Sequence, residues 1–140
     1  MIAIDTNVTS ELMRPAPDPS VLAWVRAQTA GELCTTSITF AEIRYGIERL
    51  PDGRRKEELR STAEEVFSTF AEDVLTFDAG AAMVYAGIVS NRERSGAPID
   101  GFDAQIASIC RTHQATLATG NTKDFEGTGV AVLNPWTHET

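Results

Sequence analysis

Three acidic residues, Asp5, Glu42 and Asp103, lie beside apolar segments where a carboxylate could do chemistry. Asp5 directly follows the apolar run of residues 2–4, which predicts a buried first strand. Glu42 lies within an apolar helical segment, and Asp103 falls on the apolar side of a helix that also carries Ile106. A carboxylate on an apolar face is costly unless it is paired, hydrogen-bonded or bound to a metal ion. These three residues are therefore the candidates for a functional site.

Each of the three also has a structural interpretation as a helix cap. Asp5 can cap the helix after the first strand, and Asp103 follows Asp100 by three residues, close to a helix N-terminus. Glu42 matches the capping-box pattern with Thr39. Taken singly, a cap is the more frequent role. Taken together, the three acids follow predicted strands or a turn in places that share one edge of a parallel sheet, where α/β proteins bind ligands.

The chemistry of such a group is restricted by its charge. Three or four carboxylates gathered at one point repel one another unless a cation is present. Oxygen ligands without His or Cys nearby in the sequence favour Mg²⁺, or Mn²⁺, over Zn²⁺. A site of this kind suits phosphodiester hydrolysis, in which the metal activates water and stabilises charge on the transferring phosphate.

Strands and helices alternate along the chain, which predicts one α/β domain over residues 1–140. We expect a central, mostly parallel, five-stranded sheet with helices on both faces. The predicted strands are 2–4, 33–36, 74–77, 115–119 and 130–133, and the predicted helices are 8–13, 19 to about 30, 37–50, 54–71, 79–94 and 100–113. Ser37 or Thr39 is expected to cap the third helix, Phe102 is expected on the buried side of the last helix, and residues 136–140 are predicted to form a flexible tail.

The composition indicates a single globular domain. The chain has 140 residues, of which 42% are hydrophobic, and its formal net charge of −8 argues against non-specific binding of polyanions. No apolar stretch approaches the roughly 20 residues that cross a bilayer, so we expect no membrane partner and no secretory leader. Cys34 and Cys110 belong to no metal-binding pattern, so we expect a reducing, cytoplasmic environment.

The basic residues are unevenly distributed, since six of the twelve lie between Arg44 and Arg60. Glu48, Glu57 and Glu58 are interspersed among them, which favours a solvated helix face. A local basic patch on an otherwise acidic protein is the alternative interpretation of this run.

Five segments, taken in order, resemble a known family. They are Ile-Asp-Thr-Asn at residues 4–7, Ser-Ile-Thr-Phe-Ala-Glu at 37–42, Asp-Ala-Gln-Ile-Ala at 103–107, Leu-Ala-Thr-Gly-Asn-Thr-Lys-Asp-Phe at 117–125 and Asn-Pro-Trp at 134–136. Over almost its whole length the sequence resembles the PIN-domain ribonucleases, and within them the VapC/FitB-type toxins of toxin–antitoxin systems. The resemblance implies a cytoplasmic, Mg²⁺-dependent endoribonuclease that acts on RNA and is usually a homodimer. It also implies a cognate antitoxin protein that inhibits the enzyme. The toxin would contact operator DNA only indirectly, through this antitoxin.

The resemblance also assigns residues by position. It implies that the catalytic, metal-binding carboxylates are Asp5, Glu42 and Asp103. The residues assigned to substrate binding are Thr6, Asn7, Arg44 and Thr119.

The fourth position of the site departs from the family. The family often has a fourth acid where this chain has Asn121, and an arginine or similar residue where it has Gly120. Asn121 can still offer a carbonyl oxygen, and Asp124 lies one helical turn further along. Which of the two completes the site stays open.

Other functions are conceivable for the same sequence. A phosphatase with an aspartate nucleophile would need a second aspartate where this chain has Asn7. A catalytically weak binding module that acts through its antitoxin and DNA complex is the main alternative, and Asn121 and Gly120 are its only support. For the antitoxin we expect an apolar surface that includes Val8, Leu12 and Met13 together with the helices between residues 38 and 70.

Overall fold

A five-stranded sheet lies at the centre of residues 1–138, which are the residues that the computed structural model describes. Its strands are β1 (Ile2–Ile4), β2 (Leu33–Thr36), β3 (Asp73–Leu75), β4 (Thr116–Ala118) and β5 (Val132–Leu133). Every neighbouring pair is parallel, and the order is β3-β2-β1-β4-β5. The predicted α/β domain is therefore confirmed, with a sheet that is parallel throughout.

Helices connect the strands close to where the sequence predicts them. They are α1 (Thr6–Leu12), α2 (Pro19–Arg26), α3 (Ser37–Glu48), α4 (Arg54–Phe70), α5 (Ala79–Arg94) and α6 (Gly101–His113). Helix α1 begins two residues earlier than predicted because Asp5 caps it and accepts a hydrogen bond from the Thr6 amide. Helix α3 is capped by Thr36, which accepts from the Thr39 amide, so the predictions that Ser37 or Thr39 is the cap are wrong.

Successive residues of the central strands belong to separate cores on the two faces of the sheet. Ile4 and Ala118 pack with α1, α2 and α4, whereas Ala3 and Leu117 pack with α5 and α6. The register pairs Ala3 with Leu117 and Ile4 with Ala118, so cross-strand neighbours face the same core. Burial on both faces explains why these strands are apolar without alternation in the sequence.

Helices α3 and α4 form a hairpin with a smaller core of its own. Ile43 and Ile47 of α3 pack against Ala63 and Phe67 of α4. Met13, which follows α1, packs against the same cluster and links the hairpin to the main body of the domain.

Two expectations about individual side chains differ from the structure. Phe102 lies at the margin of the buried stripe of α6 and is 54% exposed, so the prediction that it is buried is wrong. Trp136, placed in the predicted tail, instead packs against the core and closely approaches Gly120. Residues 139 and 140 of that predicted tail lie outside the described residues. Within the described part of the chain, no helix has the length and apolar character needed to cross a membrane.

Candidate active site

The candidate carboxylates lie at the carboxyl edge of the sheet, where the strand order reverses. The chain passes from β1 to β2 and β3 on one side and then returns to β4 on the other side of β1. Asp5 follows β1 directly, Glu42 lies in the helix after β2, and Asp103 lies in the first turn of the helix that leads to β4. Open α/β sheets bind their ligands at such a switch point.

Asp5 is buried and is held by uncharged donors. It is 4% exposed, and its two carboxylate oxygens accept hydrogen bonds from the Thr6 amide and from the Thr119 hydroxyl, both at 2.8 Å. Burial raises the pKa of Asp5, the bonds from Thr119 and Thr6 lower it, and the charge of Asp124 raises it. The capping interpretation of Asp5 is confirmed, and its second carboxylate oxygen accepts hydrogen bonds from the side chains of Thr119 and Asn7.

Glu42 lies well inside α3 and contacts the start of α1. Its Oε1 accepts a hydrogen bond of 2.9 Å from the Thr6 hydroxyl, which also lies 3.2 Å from the Thr39 hydroxyl. Partial burial raises the pKa of Glu42, the Thr6 bond opposes that change, and the charges of Asp5 and Asp100 add to it. Thr6 therefore connects two acids, with its amide on Asp5 and its hydroxyl on Glu42.

Asp103 is the acid whose ionisation costs most. Partial burial, followed by the charges of Asp5, Asp100, Asp124 and Glu42, raises its pKa from 3.8 to about 7. The helix is capped by Asp100, which accepts from the amides of Phe102 and Asp103. No described residue donates a hydrogen bond to the Asp103 carboxylate, so the capping interpretation of this residue is wrong.

The two candidates for the fourth position differ in their surroundings. They lie at a 3₁₀ turn, Thr122–Phe125, between β4 and β5. The charge of Asp124 raises the pKa of both Asp5 and Asp103. The Asn121 amide donates to the Thr119 hydroxyl at 3.0 Å, but the exposed Asn121 side chain has no hydrogen bond to any described residue. Of the two, Asp124 is therefore the one that interacts electrostatically with the other acids.

Three of the four residues predicted to bind substrate form hydrogen bonds with the acids or with each other, and their contact with substrate stays a prediction. Besides Thr6 and Thr119, Asn7 donates to the Thr119 hydroxyl at 3.1 Å and accepts from the Gly120 amide at 3.1 Å. Arg44 is not brought to this cluster, because it lies over the Phe40 ring, 5.9 Å from its centroid, and 4.0 Å from Glu64 of α4.

The cluster has the donor chemistry of a site for a hard divalent cation, without being a preformed cage. Among residues 1–138, no Lys, Arg or His forms an ion pair with Asp5, Glu42, Asp103 or Asp124. Nor does any group of three His, Cys, Asp or Glu side chains there lie close enough together to enclose a metal ion. Mg²⁺ commonly takes only one or two carboxylates and keeps several waters, so this open arrangement fits it.

The PIN-domain family model matches residues 2–130. The chain belongs to the PIN-domain family. A VapC ribonuclease of Sinorhizobium fredii is 39% identical over 97% of this chain and 98% of its own length, and toxin FitB of Neisseria gonorrhoeae is 38% identical over 97% and 99%. A FitAB complex bound to a DNA fragment contains a chain that superimposes with a TM-score of 0.90 at 38% identity, covering 100% of this chain and 99% of that one.

A groove on this PIN domain begins beside the acidic cluster. It has a volume of about 480 Å³ and runs between the end of α1 and the α3–α4 hairpin. Glu42 lies on its wall with Met13, Ile43 and Leu59, while Arg55 and Glu58 line its outer part. The predicted contribution of Val8 and Leu12 to such a surface is wrong, because both are buried in the core beneath α1.

One acid of the cluster escapes sequence reasoning, whereas the favoured interpretation of the basic run agrees with the structure. The sequence predicts Asp100 only as the start of a helix, yet its charge raises the pKa of both Asp103 and Glu42. Its spacing of three residues from Asp103 is the signal that places it near the cluster. Four members of the basic run form ion pairs with acids of the hairpin itself, which supports the solvated-face interpretation. These four are Arg44, Arg54, Lys56 and Arg60.

Proposed function

We propose that this PIN domain is a metal-dependent endoribonuclease and the toxin of a toxin–antitoxin pair. The observation that carries the proposal is the acidic cluster at the switch point, which has no basic partner within residues 1–138. Relatives named ribonuclease and toxin, aligned over nearly the full chain, support the same reaction and role.

In this proposal Asp5 and Asp103 would hold Mg²⁺ or Mn²⁺, with Glu42 in support and with Asp124 rather than Asn121 at the fourth position. The bound ion would supply an activated water and charge stabilisation for the transferring phosphate. Thr119 and Thr6 keep Asp5 oriented by donating to its two oxygens, and Thr6 also orients Glu42. Because the pKa of Asp103 is raised to about 7, its protonated and ionised forms coexist near neutral pH in the metal-free protein, and only the ionised form can act as a ligand.

The test is cleavage of a fluorescently labelled RNA by purified protein in millimolar Mg²⁺ and in EDTA. We expect cleavage only with metal, and its loss in Asp5→Asn. Asp78→Asn is the matched control, because Asp78 also caps a helix, by accepting from the Ala81 amide, but is not one of the acids that perturb the cluster. Cleavage that persists in EDTA or in Asp5→Asn would reject the proposal. A folded protein that binds metal but cuts no RNA would favour the binding-module alternative.

The partner that we propose is a cognate antitoxin seated in the groove beside Glu42. The solved FitAB and VapBC structures that resemble this chain are complexes, some of them bound to DNA. The apolar floor of the groove, formed by Met13, Ile43 and Leu59, suits an amphipathic helix. With a net charge of −8 this chain is a poor DNA ligand, so operator binding would come from the antitoxin. Co-expression with the adjacent small gene and purification of the pair tests this. Gly46→Glu should abolish co-purification, because Gly46 lines the groove, is exposed, and has room for a side chain.

We also propose a homodimer that acts in the cytoplasm. Met83, Tyr45 and Phe102 are exposed, and large exposed apolar side chains often mark protein contacts. Cys34 and Cys110 are buried and unpaired, as is usual in a reducing compartment. Light scattering should give twice the chain mass of 15.2 kDa. A mass of one chain at micromolar concentration would reject the dimer.

A further inference from the structure

The last turn of α5 contains a buried arginine that plays no part in the acidic cluster. Arg92 is 9% exposed and forms no ion pair with any described residue. Its guanidinium donates instead to three backbone carbonyls: Nε to Ala97 at 2.6 Å, and Nη1 to Asp124 at 2.8 Å and to Glu126 at 3.0 Å. A buried charge is costly unless its hydrogen-bonding capacity is used. The cost of burying Arg92 is therefore met entirely by main-chain oxygens.

Those carbonyls belong to two loops that are distant in sequence. Ala97 lies in the loop between α5 and α6, and this loop leads directly to Asp100 and Asp103. Ala97 is held twice, because its amide also donates to the Arg92 carbonyl at 2.9 Å. Asp124 and Glu126 lie in the 3₁₀ turn and at its exit, between β4 and β5. One guanidinium thus joins the two loops that present acids to the cluster from opposite sides.

The contact with Asp124 is made at the residue that faces the other acids. Phe125 anchors the same turn through its buried ring. The Thr128 hydroxyl holds the Phe125 carbonyl at 2.6 Å, and the bonds from Arg92 fix the carbonyls on either side of it. Fixing these peptides limits the directions in which the Asp124 side chain can project.

We propose that Arg92 is a positioning residue that sets the place of Asp124 relative to Asp103 by tying the α5–α6 loop to the 3₁₀ turn. The inference rests on the proposed function only in so far as Asp124 belongs to the metal site. Arg92 itself contacts neither substrate nor metal ligand side chains; it acts through the main chain.

The geometry makes lysine a poor substitute. The planar guanidinium places Nε toward one loop and Nη1 toward the other, and a single ammonium cannot reproduce that fork. Arg92→Lys retains the positive charge and should still lose the bridge. Arg94→Gln is the control, because Arg94 lies in the same helical turn but is exposed and bonds only to Asn91 and Ser90 of its own helix.

The first measurement is amide hydrogen exchange of the metal-free protein. In Arg92→Lys we expect amides at residues 122–128 and 96–100 to exchange about tenfold faster, the factor that corresponds to 1.4 kcal/mol of lost hydrogen bonding. Amides of β1 and β4 should be unchanged, as should all amides in Arg94→Gln. Unchanged exchange in both loops would overturn the proposal, and so would a uniform increase over the whole domain, which would make Arg92 a residue of global stability.

The second measurement separates positioning from packing. Calorimetric titration with Mn²⁺ should show weaker binding in Arg92→Lys, by several-fold, but no further weakening when Arg92→Lys is added to Asp124→Asn. Additive losses would overturn the proposal, because Arg92 would then act independently of Asp124. Neither measurement requires RNA. Failure of the wild-type protein to cleave RNA would therefore reject the proposed function, and it would leave the role of Arg92 to be decided by exchange and cation binding.

Discussion

Replacing Asp103 with asparagine should stabilise the metal-free protein while it abolishes activity. The pKa of Asp103 is raised from 3.8 to about 7 by partial burial and by four neighbouring acids. An acid whose pKa is higher in the folded protein favours folding while it stays protonated. The contribution of Asp103 to the free energy of unfolding is complete below the unfolded-state pKa near 3.8, and it is lost as the pH rises through the folded-state pKa of about 7. Asparagine does not ionise, so the variant should escape this loss.

The magnitude follows from the difference between the two pKa values. Three pH units correspond to about 4 kcal/mol at about 1.4 kcal/mol each. Asp103 is only half-buried, so solvent screening reduces the effect to about 1–2 kcal/mol. For a domain of this length, about 3 °C of melting temperature corresponds to each kcal/mol. In EDTA at pH 8 the variant should therefore melt about 3–6 °C above the wild type, and below pH 4 the difference should vanish.

The assay is thermal unfolding of both proteins in EDTA from pH 4 to pH 8.5, with RNA cleavage measured in parallel. Subtracting the two melting temperatures at each pH removes the contributions of titrating groups that do not interact with Asp103. Asp73→Asn is a suitable control, because Asp73 is an exposed acid on the edge strand β3. A variant that melts lower than the wild type by the same amount at every pH would show that Asp103 is a structural residue, and the reasoning about repulsion would fail.

Three further predictions concern the same cluster. Asp124→Asn should raise the Mg²⁺ concentration for half-maximal cleavage by about tenfold, which corresponds to about 1.4 kcal/mol of lost attraction. Asn121→Ala should leave that concentration nearly unchanged, and the opposite ranking would make Asn121 the fourth ligand. Thr119→Val removes a hydrogen bond that lowers the pKa of Asp5, so the acidic limb of the pH–rate profile should move to higher pH, and an unmoved limb would contradict this role. Mg²⁺ at about a hundred times its dissociation constant should stabilise the wild type by about 2.7 kcal/mol but not Asp5→Asn, as measured by melting temperature; equal stabilisation of both would place the ion elsewhere.

The parallel sheet and its edge of acids could be predicted because both depend on local patterns. Ile4-Asp5 signals a buried strand that ends at the ligand edge, and the caps at Asp18 and Asp100 are adjacent to the helices that they begin. Strand order then brings distant segments to one edge by general rules of α/β topology. The positions of Asp5, Glu42 and Asp103 therefore required no knowledge of particular side-chain contacts.

The fourth position could not be predicted because its orientation is set at a distance. Asp124 lies in a four-residue 3₁₀ turn, directly preceded by Asn121, and the direction of this turn depends on Arg92, about 30 residues earlier in the chain. Likewise, the sequence does not reveal that the sheet and α2 cover the face of α1 that carries Val8, so the surface position predicted for Val8 is wrong. Contacts of this kind depend on tertiary packing, for which local periodicity carries no signal.

The contrast between two groups of acids explains why the cluster suits a cation. In the α3–α4 hairpin, Glu48 accepts from Arg60 at 2.8 Å, and that bond holds the pKa of Glu48 below its usual range. At the switch point the chain places threonine hydroxyls and backbone amides around Asp5 and Glu42 instead. These donors fix the direction of a carboxylate without neutralising it. A lysine or arginine in the place of Thr6 or Thr119 would satisfy the acid and remove its attraction for a metal ion. The ionised acids of the cluster therefore repel one another in the metal-free fold. A divalent cation that binds there relieves this repulsion, and the relief contributes to its binding free energy.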